Sequence, residues 1–307
     1  MATIAVTGGT GLLGQSLVPL LLHRGHTVRL LSRPRPATRR VTPVGAILVE
    51  GSLTDEAALD RLVDGADCIL HAAYAEPGPA TDSASTQRWF DENFLGTMRL
   101  LERTVRTRDQ QLIYTSSLAV FSRDPNLDPR GDTLLRDEEC ALLPLEFYGS
   151  LRAACEQLLR TAAHTYQLNT SCWRLGCVLG LRDPWTTSPL FSTVDEAVRT
   201  GEIRSPFGAY SLAVEDAATL LADAVGDASL RGQIVHTFDR WIDHASVVPM
   251  LEHELGRPIC NSCAKAPEPR SPIRGEKVHA RYRGWRTEAS LRALVRELVA
   301  RCRERTH

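Results

Sequence analysis

The sequence predicts a doubly wound α/β fold: a parallel sheet with helices on both faces, followed by a smaller C-terminal lid. Three observations carry this expectation. Apolar, β-branched runs alternate with stretches of helical periodicity through residues 1–175, the pattern of a parallel sheet covered on both sides. A glycine-rich turn, Gly8-Gly-Thr-Gly11-Leu-Leu-Gly14, joins the first strand to the first helix. Beyond residue 175 the regularity weakens, and Pro184, Pro189, Pro206, Gly201 and Gly208 break residues 181–210 into short pieces.

Taken in order, residues 3–7 form the first strand. Leu12, Leu13, Leu17, Leu20 and Leu21 then recur at helical spacing up to Gly25, a natural stop. Residues 26–31 and 46–49 are the next two strands. A helix begins near Thr54-Asp55-Glu56, with Thr54 as the expected N-cap and acids in the first turn, where the dipole favours them. Residues 68–71 are the fourth strand, and a polar loop follows from 76 to 86. Phe90, Phe94, Met98 and Leu101 mark one face of a helix. Residues 111–115 form the fifth strand and run into Ser116 and Ser117. A long helix over 148–166 and a sixth strand over 170–175 complete the alternation. Later come a helix at 214–225, a strand at 233–238, a helix at 245–255, a Pro-rich linker at 266–272 and a helix at 287–302. The expected domains are a nucleotide-binding domain over 1–175, to which 209–240 returns, and a lid built from 176–208 and 241–307.

Composition narrows the function classes. Hydrophobic residues make up 43% and charged residues 24% of 307 residues, enough apolar material for a core and too much for a disordered chain. No run approaches the roughly 20 apolar residues of a membrane-spanning helix. A net charge of -1 gives no general attraction to nucleic acid or acidic membranes. The eight cysteines show no disulfide framework. Cys260-Asn-Ser-Cys263 is the lone C-x-x-C and lacks a second pair, so ordinary thiols and no metal site are expected. The opening Met1-Ala-Thr-Ile-Ala-Val6 reads as a strand rather than a secretion signal, and a cytoplasmic location is expected.

The glycine turn carries the first chemical signal. Gly8 allows a tight turn, Gly11 lets the backbone approach a pyrophosphate, and Gly14 lets the helix pack against its strand. Free N–H groups and the positive helix end then hold the anion. The next strand ends Leu31-Ser32-Arg33-Pro-Arg35, with Arg39 and Arg40 beyond. An NAD site usually places an acid here, to accept hydrogen bonds from ribose hydroxyls. A hydroxyl and a guanidinium suit a 2′-phosphate instead, so NADP is expected, with NAD as the alternative. Ser32 and Arg33 are the expected contacts. Because Lys265 and Lys277 are the only lysines and the other 34 basic residues are arginine, solvated loop arginines are the competing reading of 35, 39 and 40.

These residues resemble the extended short-chain dehydrogenase/reductase family, its NAD-dependent epimerase/dehydratase group, over nearly the whole chain. Besides the glycine turn, the likeness rests on Asp67-Cys-Ile-Leu-His71-Ala-Ala73, Asn93-Phe-Leu-Gly96-Thr97 and Tyr114-Thr-Ser-Ser117-Leu-Ala-Val-Phe121. It continues in Trp173-Arg174-Leu-Gly176-Cys-Val-Leu-Gly180, Val214-Glu-Asp216-Ala217 and Tyr282-Arg-Gly284-Trp285. The resemblance implies a Rossmann sheet with a substrate-binding lid. It also implies a dinucleotide site lined by Thr7, Gly8, Gly11, Leu12, Leu13, Gly14, Ser32, Arg33, Leu53, His71, Ala72, Ala73, Asn93, Ser116 and Leu175. Family members often dimerise through helices corresponding to 90–106 and 148–166, which implies a possible homodimer.

The family's chemistry uses a serine and a Tyr-x-x-x-Lys pair. Here Ser117 takes the serine's place and Tyr148 the tyrosine's, with Ser116 next in line if the register slips. The position of the lysine holds Arg152. Residues 148 and 152 share a helix face, so a cation at 152 lies near the phenol. A tyrosine ordinarily ionises at about pH 10, and a nearby positive charge favours phenolate. Arginine supplies the charge but does not readily release a proton. Three readings follow: a working replacement with proton traffic through water, an altered chemistry in which Tyr148 orients the substrate, or a retained nucleotide site without catalysis.

The resemblance implies a small-molecule substrate, and the sequence speaks partly against a nucleotide sugar. Ala209 stands where such epimerases carry a diphosphate arginine, while Arg281 falls where a second one sits. Trp185, Phe191, Phe207 and Tyr210, with Leu118, Phe121 and Phe147, read either as an apolar pocket lining or as core and lid packing. A carbonyl or alcohol of a small or medium substrate is the leading expectation, with NADP(H)-dependent hydride transfer as the reaction. A redox-neutral epimerase or dehydratase with tightly held NAD, and an inactive NAD(P)-binding regulatory protein, are the alternatives.

Overall fold

A computed structural model of the chain describes residues 1–34, 43–75, 82–121, 136–182, 184–204, 207–262 and 272–306. Arg35, Arg39, Arg40, Pro206, Cys263, Lys265 and most of the Pro-rich linker lie outside the described residues. The chain divides into two compact units: Met1–Leu127, Glu138–Arg174 and Ala218–Val235 form one, and Asp128–Asp137, Leu175–Ala217 and His236–His307 form the other.

In chain order the first elements are β1 (Thr3–Thr7), α1 (Leu12–His23), β2 (Thr27–Ser32), β3 (Ile47–Glu50), α2 (Glu56–Val63), β4 (Cys68–His71), α3 (Ser83–Phe90), α4 (Gly96–Thr107), β5 (Gln111–Ser117), α5 (Phe147–Tyr166) and β6 (Thr170–Leu175). They are followed by β7 (Cys177–Leu179), α6 (Phe191–Thr200), β8 (Glu202–Ile203), β9 (Gly208–Ala213), α7 (Val214–Asp223), β10 (Gln233–Thr237), β11 (Arg240–Asp243), α8 (His244–Leu255), β12 (Cys260–Asn261), α9 (Glu276–Arg281) and α10 (Thr287–Thr306).

The large sheet has the order β10-β6-β5-β4-β1-β2-β3. β1 pairs in parallel with β2, Thr7 opposite Leu31, and with β4, Thr7 opposite His71. The strand order therefore reverses between β1 and β4, the switch point at which open α/β sheets bind ligands beyond the strand ends. Ile4, Ala5, Val6, Ile69, Leu70, Leu112 and Ile113 are fully buried, which explains why these strands read as unbroken apolar runs. One buried ion pair locks α5 to β6. Arg174 donates through Nε and Nη2 to the Glu156 carboxylate at 2.8–3.1 Å, and both side chains are 1% exposed. Its guanidinium carbon lies 5.2 Å from the Phe121 ring centroid.

The second unit holds the three-stranded sheet β11-β9-β7 and the pair β12-β8. Its core joins Leu190, Val194 and Ala197 of α6, Val247 and Leu251 of α8, and Leu291, Val295 and Leu298 of α10. The Asp216 carboxylate accepts from the Tyr282 hydroxyl at 2.9 Å and from the Arg286 backbone N–H at 2.8 Å. Two motifs far apart in sequence thus meet within this unit.

Three local expectations are corrected. Asp55, not Thr54, caps α2: its carboxylate accepts from Ala58 N at 3.0 Å, while the Thr54 hydroxyl is engaged with Ser52 Oγ at 2.7 Å. The polar loop expected to reach residue 86 ends earlier, because Asp82 caps α3 through Ser85 N. Residues 181–210 are not all short pieces, since α6 runs for ten residues between Pro189 and Gly201. The prolines bracket that helix rather than interrupt it.

Candidate active site

The glycine turn leaves β1 and enters α1. Gly8 has φ +76, and a Cβ there would lie 2.5 Å from the Ala72 carbonyl carbon, so both its dihedral and its packing against the end of β4 require glycine. Gly14 packs closely on the turn, where a Cβ would lie 2.2 Å from the Gly9 Cα and 2.4 Å from the Gly8 carbonyl oxygen. Among the described residues only the Gly8 carbonyl oxygen comes close to Gly11, where a Cβ would lie 3.2 Å from it. The helix end carries no side-chain cap, so the first-turn N–H groups of Leu12 and Leu13 have no side-chain acceptor. This open approach with uncapped donors fits a pyrophosphate.

Beside the turn, a chain of hydrogen bonds crosses the switch point. Ala73 N–H donates to Thr7 Oγ1 at 3.3 Å, Thr7 Oγ1 lies 2.6 Å from His71 Nδ1, and His71 Nε2 lies 2.9 Å from Thr97 Oγ1. Thr97 in turn donates to the Asn93 carbonyl at 2.6 Å. Each hydroxyl has one proton to give. Thr97 gives its proton to Asn93, so it accepts from Nε2–H, and Nδ1 accepts from Thr7. The imidazole is therefore neutral. Burial, with the charge of Arg152 as second cause, brings its pKa from 6.5 down to about 3.

Asn93 sits in a π-helical turn, Asp91–Leu95, between α3 and α4. Its side chain accepts from Ala75 N and donates to the carbonyls of Ala75 and Trp89. Gly96 follows, where a Cβ would approach that of Leu53 to 2.7 Å. The Asn-x-x-Gly-Thr motif thus ties α4 to β4 through Thr97, reaches the segment after β4 at Ala75 through Asn93, and meets Leu53 through its glycine.

The catalytic candidates gather around β5 and α5. Ser117 ends β5, and its Oγ accepts from Ala119 N at 3.1 Å, which leaves its O–H to donate elsewhere. Ser116 Oγ is buried without a hydrogen-bond partner. Tyr148 lies in the first turn of α5, half-buried. The next residue, Gly149, packs directly on the Ala119 carbonyl, so the first turn of α5 abuts the turn that follows Ser117. Arg152 is buried. Its Nη1 donates to Tyr114 Oη and to the Thr115 carbonyl, both at 2.9 Å. The guanidinium carbon lies 5.0 Å from the Tyr74 ring centroid, 5.4 Å from that of Tyr114 and 5.2 Å from that of Tyr148. Its Nε is buried without a partner. No carboxylate among the described residues pairs with it.

Ser32 and Arg33 stand at the end of β2, where Arg33 Nη1 is 3.6 Å from the Glu92 carboxylate. Leu53 follows β3 and is buried. Leu175 ends β6 and falls in the second unit. The aromatic residues divide. Trp185 and Phe191 stack edge to face at 5.4 Å and, with Phe207, pack on the core of the second unit, and Phe121 is buried. Packing is therefore the reading the structure favours for these four. Tyr210 stacks with Phe238 and Trp241. Among the described residues no His/Cys/Asp/Glu group could hold a metal ion, and no helix is long and apolar enough to cross a membrane.

Sequence reasoning missed Tyr74, Glu92, Gly149 and the Glu156 partner of Arg174. Only Gly149 had a local signal, a glycine inside the first turn of a strong helix. The others are visible only once strand ends and helix faces are brought together.

Comparison with known proteins agrees with this architecture. A 3 beta-hydroxysteroid dehydrogenase/Delta 5→4-isomerase from Mycobacterium tuberculosis is 28% identical over 297 residues, covering 93% of this chain and 75% of the relative. A 4-hydroxy-2-methyl-3-oxo-4-farnesyl-3,4-dihydroquinoline-1-oxide ketoreductase from Stigmatella aurantiaca is 32% identical over 160 residues, 51% of this chain and 45% of the relative. Among solved structures, a dTDP-glucose 4,6-dehydratase from Bacillus anthracis in complex with NAD superposes with a TM-score of 0.75 at 18% identity, covering 99% of this chain and 97% of that one. The UDP-glucose 4-epimerase of Thermus thermophilus, also with NAD, gives 0.72 at 23%, covering 98% and 99%. At such identities the structural likeness speaks for the fold. The model of the NAD dependent epimerase/dehydratase family matches residues 4–207, about two thirds of the chain, and this chain belongs to that family.

Proposed function

We propose that the protein is a nicotinamide-dependent oxidoreductase acting on a carbonyl or alcohol of a small or medium substrate. The observation that carries this reading is the buried, carboxylate-free guanidinium of Arg152 beside the Tyr148 ring, one turn apart on α5. A positive charge so placed favours negative charge on the phenol oxygen in passing, which is what a proton-carrying tyrosine needs. Tyr148 Oη gives or takes the proton at the substrate oxygen. Ser117 donates its free O–H to that same oxygen and orients it. Arg152 acts as a fixed charge. The hydride would be supplied or accepted by a nicotinamide held at the β1–β4 switch point.

The uncapped N-terminus of α1, the open face at Gly11 and the partnerless Ser116 Oγ support binding of a dinucleotide across the β1–β4 switch point. For its adenosine end we propose NADP(H), supported by Ser32 and Arg33 where an acid would otherwise sit. Glu92, beside Arg33, competes with a 2′-phosphate for that guanidinium and leaves room for NAD(H). The hydroxysteroid dehydrogenase and ketoreductase relatives support alcohol and carbonyl chemistry. Ala209 at a place where nucleotide-sugar epimerases carry arginine speaks against a nucleotide sugar, while Arg281 at the second such place speaks for one.

Turnover with 9,10-phenanthrenequinone and with a 3-ketosteroid, followed as loss of NADPH or NADH absorbance, tests the reading. Tyr148→Phe is expected to cost roughly 10²- to 10⁴-fold in kcat while leaving dinucleotide affinity nearly unchanged. Equal rates for the variant and the wild type would remove Tyr148 from the mechanism.

A further inference from the structure

We infer that Tyr114 and Tyr74 are positioning residues that make residue 152 a seat for a guanidinium rather than an ammonium, so that arginine is the working residue of this site. The inference builds on the reading of Tyr148 as the proton carrier. Its basis is the way the Arg152 side chain is held. The far nitrogen Nη1 reaches two acceptors at once, Tyr114 Oη and the Thr115 carbonyl, both at 2.9 Å. Three tyrosine rings lie within 5.0–5.4 Å of the guanidinium carbon, the range in which an aromatic face attracts a cation.

The rings are themselves fixed. Tyr114 is fully buried in β5, and burial holds its phenol well above the ordinary ionisation range, so it stays a neutral hydroxyl. Tyr74 Oη accepts from Trp89 Nε1 at 3.2 Å, and the Tyr74 ring meets Tyr148 edge to face at 4.9 Å. Tyr74 therefore touches both the cation and the proton carrier. His71, the other nearby titratable base, stays neutral and adds no charge.

Lysine does not fit this seat. Its Nζ falls at the bond count of the guanidinium carbon, one bond short of where Nη1 meets Tyr114 and Thr115. An ammonium is also a compact, strongly hydrated charge, costlier to bury and without a planar face for the rings. An arginine whose charge is balanced by rings and a carbonyl, with no carboxylate partner among the described residues, keeps its field for the half-buried Tyr148.

Four proteins test the proposal: wild type, Arg152→Lys, Tyr114→Phe and the double variant. With ¹⁵N-arginine labelling, Arg152 is expected to show slowly rotating, separately resolved guanidinium resonances, identified by their loss in Arg152→Lys. In Tyr114→Phe they should merge into the freely rotating set. In NADPH-dependent reduction of 9,10-phenanthrenequinone, Arg152→Lys should lower kcat by at least about tenfold and Tyr114→Phe by roughly five- to tenfold, with KM little changed. In the Arg152→Lys background, Tyr114→Phe should cost less than about twofold, because the partner it positions is gone. Tyr74→Leu serves as a second variant, expected to lower kcat only where Arg152 is intact.

Equal or faster turnover by Arg152→Lys, or the same factor for Tyr114→Phe in both backgrounds, overturns the proposal. So does a wild-type Arg152 whose guanidinium rotates freely. A wild type that turns over no faster than Tyr148→Phe refutes the proton-carrier reading instead, while the resonances still decide whether the seat exists.

Discussion

Arg33 faces two claims on one guanidinium. Its side chain is 55% exposed and pairs at 3.6 Å with Glu92, which is 17% exposed. An exposed pair of this kind holds weakly and is screened by salt, so a 2′-phosphate can displace it, though against the repulsion of the carboxylate. Glu92→Gln frees Arg33 and removes that repulsion. The expected outcome is a gain in NADPH affinity relative to NADH of roughly three- to tenfold at low salt, shrinking as salt is raised. Arg33→Ala should reverse the preference. Fluorescence titration of both reduced dinucleotides measures it, and an unchanged ratio in Glu92→Gln would sink the idea. Ser32 and Arg33 stood out in the sequence because they close a strand and follow directly on it. Glu92 did not, because its approach to β2 depends on the π-helical turn that Asn93 ties to Ala75 and Trp89, and no spacing along the chain announces that contact.

Helix α5 shows what one element contributes. Tyr148, Arg152 and Glu156 recur every four residues, so a single face carries the proposed proton carrier, the guanidinium beside it and the counterion of Arg174. The first two stood out through the family resemblance, and their spacing put them on one face. Glu156 did not, since its partner comes from β6. The entry into the helix is set by Gly149 against the Ala119 carbonyl. Gly149→Ala must push the first turn of α5 away from the turn after Ser117. Crowding of this kind costs about 1–3 kcal/mol, and the displacement should fall on Tyr148. The expected result is a lowered urea midpoint together with a drop in kcat larger than the change in dinucleotide affinity. A fully active Gly149→Ala would show that the contact does not set the geometry of Tyr148. The same scale shows where sequence patterns failed: α6 was hidden between prolines, and Thr54 drew attention from Asp55 because both are good caps and only the neighbouring Ser52 hydroxyl decides between them.

At the scale of the whole molecule, the alternation of elements made the doubly wound sheet legible, since buried parallel strands leave few other ways to cover both faces. The polar chain through the middle of that sheet was only half legible. Thr7, His71 and Asn93 stood out as motif residues, but their order as donors and acceptors needed the distances. That order has a consequence for stability. His71 is buried and neutral, with a pKa of about 3 in the fold against 6.5 for a free imidazole. Between these values the unfolded chain binds a proton that the folded chain refuses. Folding stability therefore rises with pH across this window: the contribution is complete above about 6.5 and is lost as pH falls toward 3, at up to about 1.4 kcal/mol per pH unit. Asp216 acts in the opposite sense. Burial raises its pKa from 3.8, so the folded chain holds its proton more tightly and the term favours the fold on the acid side. The Glu56 carboxylate, held below its ordinary value by hydrogen bonds from Arg103 and Arg99, acts the other way, so a variant is needed to isolate the imidazole. His71→Gln keeps a hydrogen-bonding side chain and cannot take up the proton. Urea unfolding of both proteins at intervals from pH 7.5 to 4.5 should show the variant less stable at pH 7.5, where it lacks the fitted network. The gap should narrow steadily below pH 6.5, as the wild type loses its advantage. Parallel stability curves over the whole range would mean that His71 takes up its proton in the folded state, and the donor order deduced for the chain from Ala73 to Asn93 would have to be reversed.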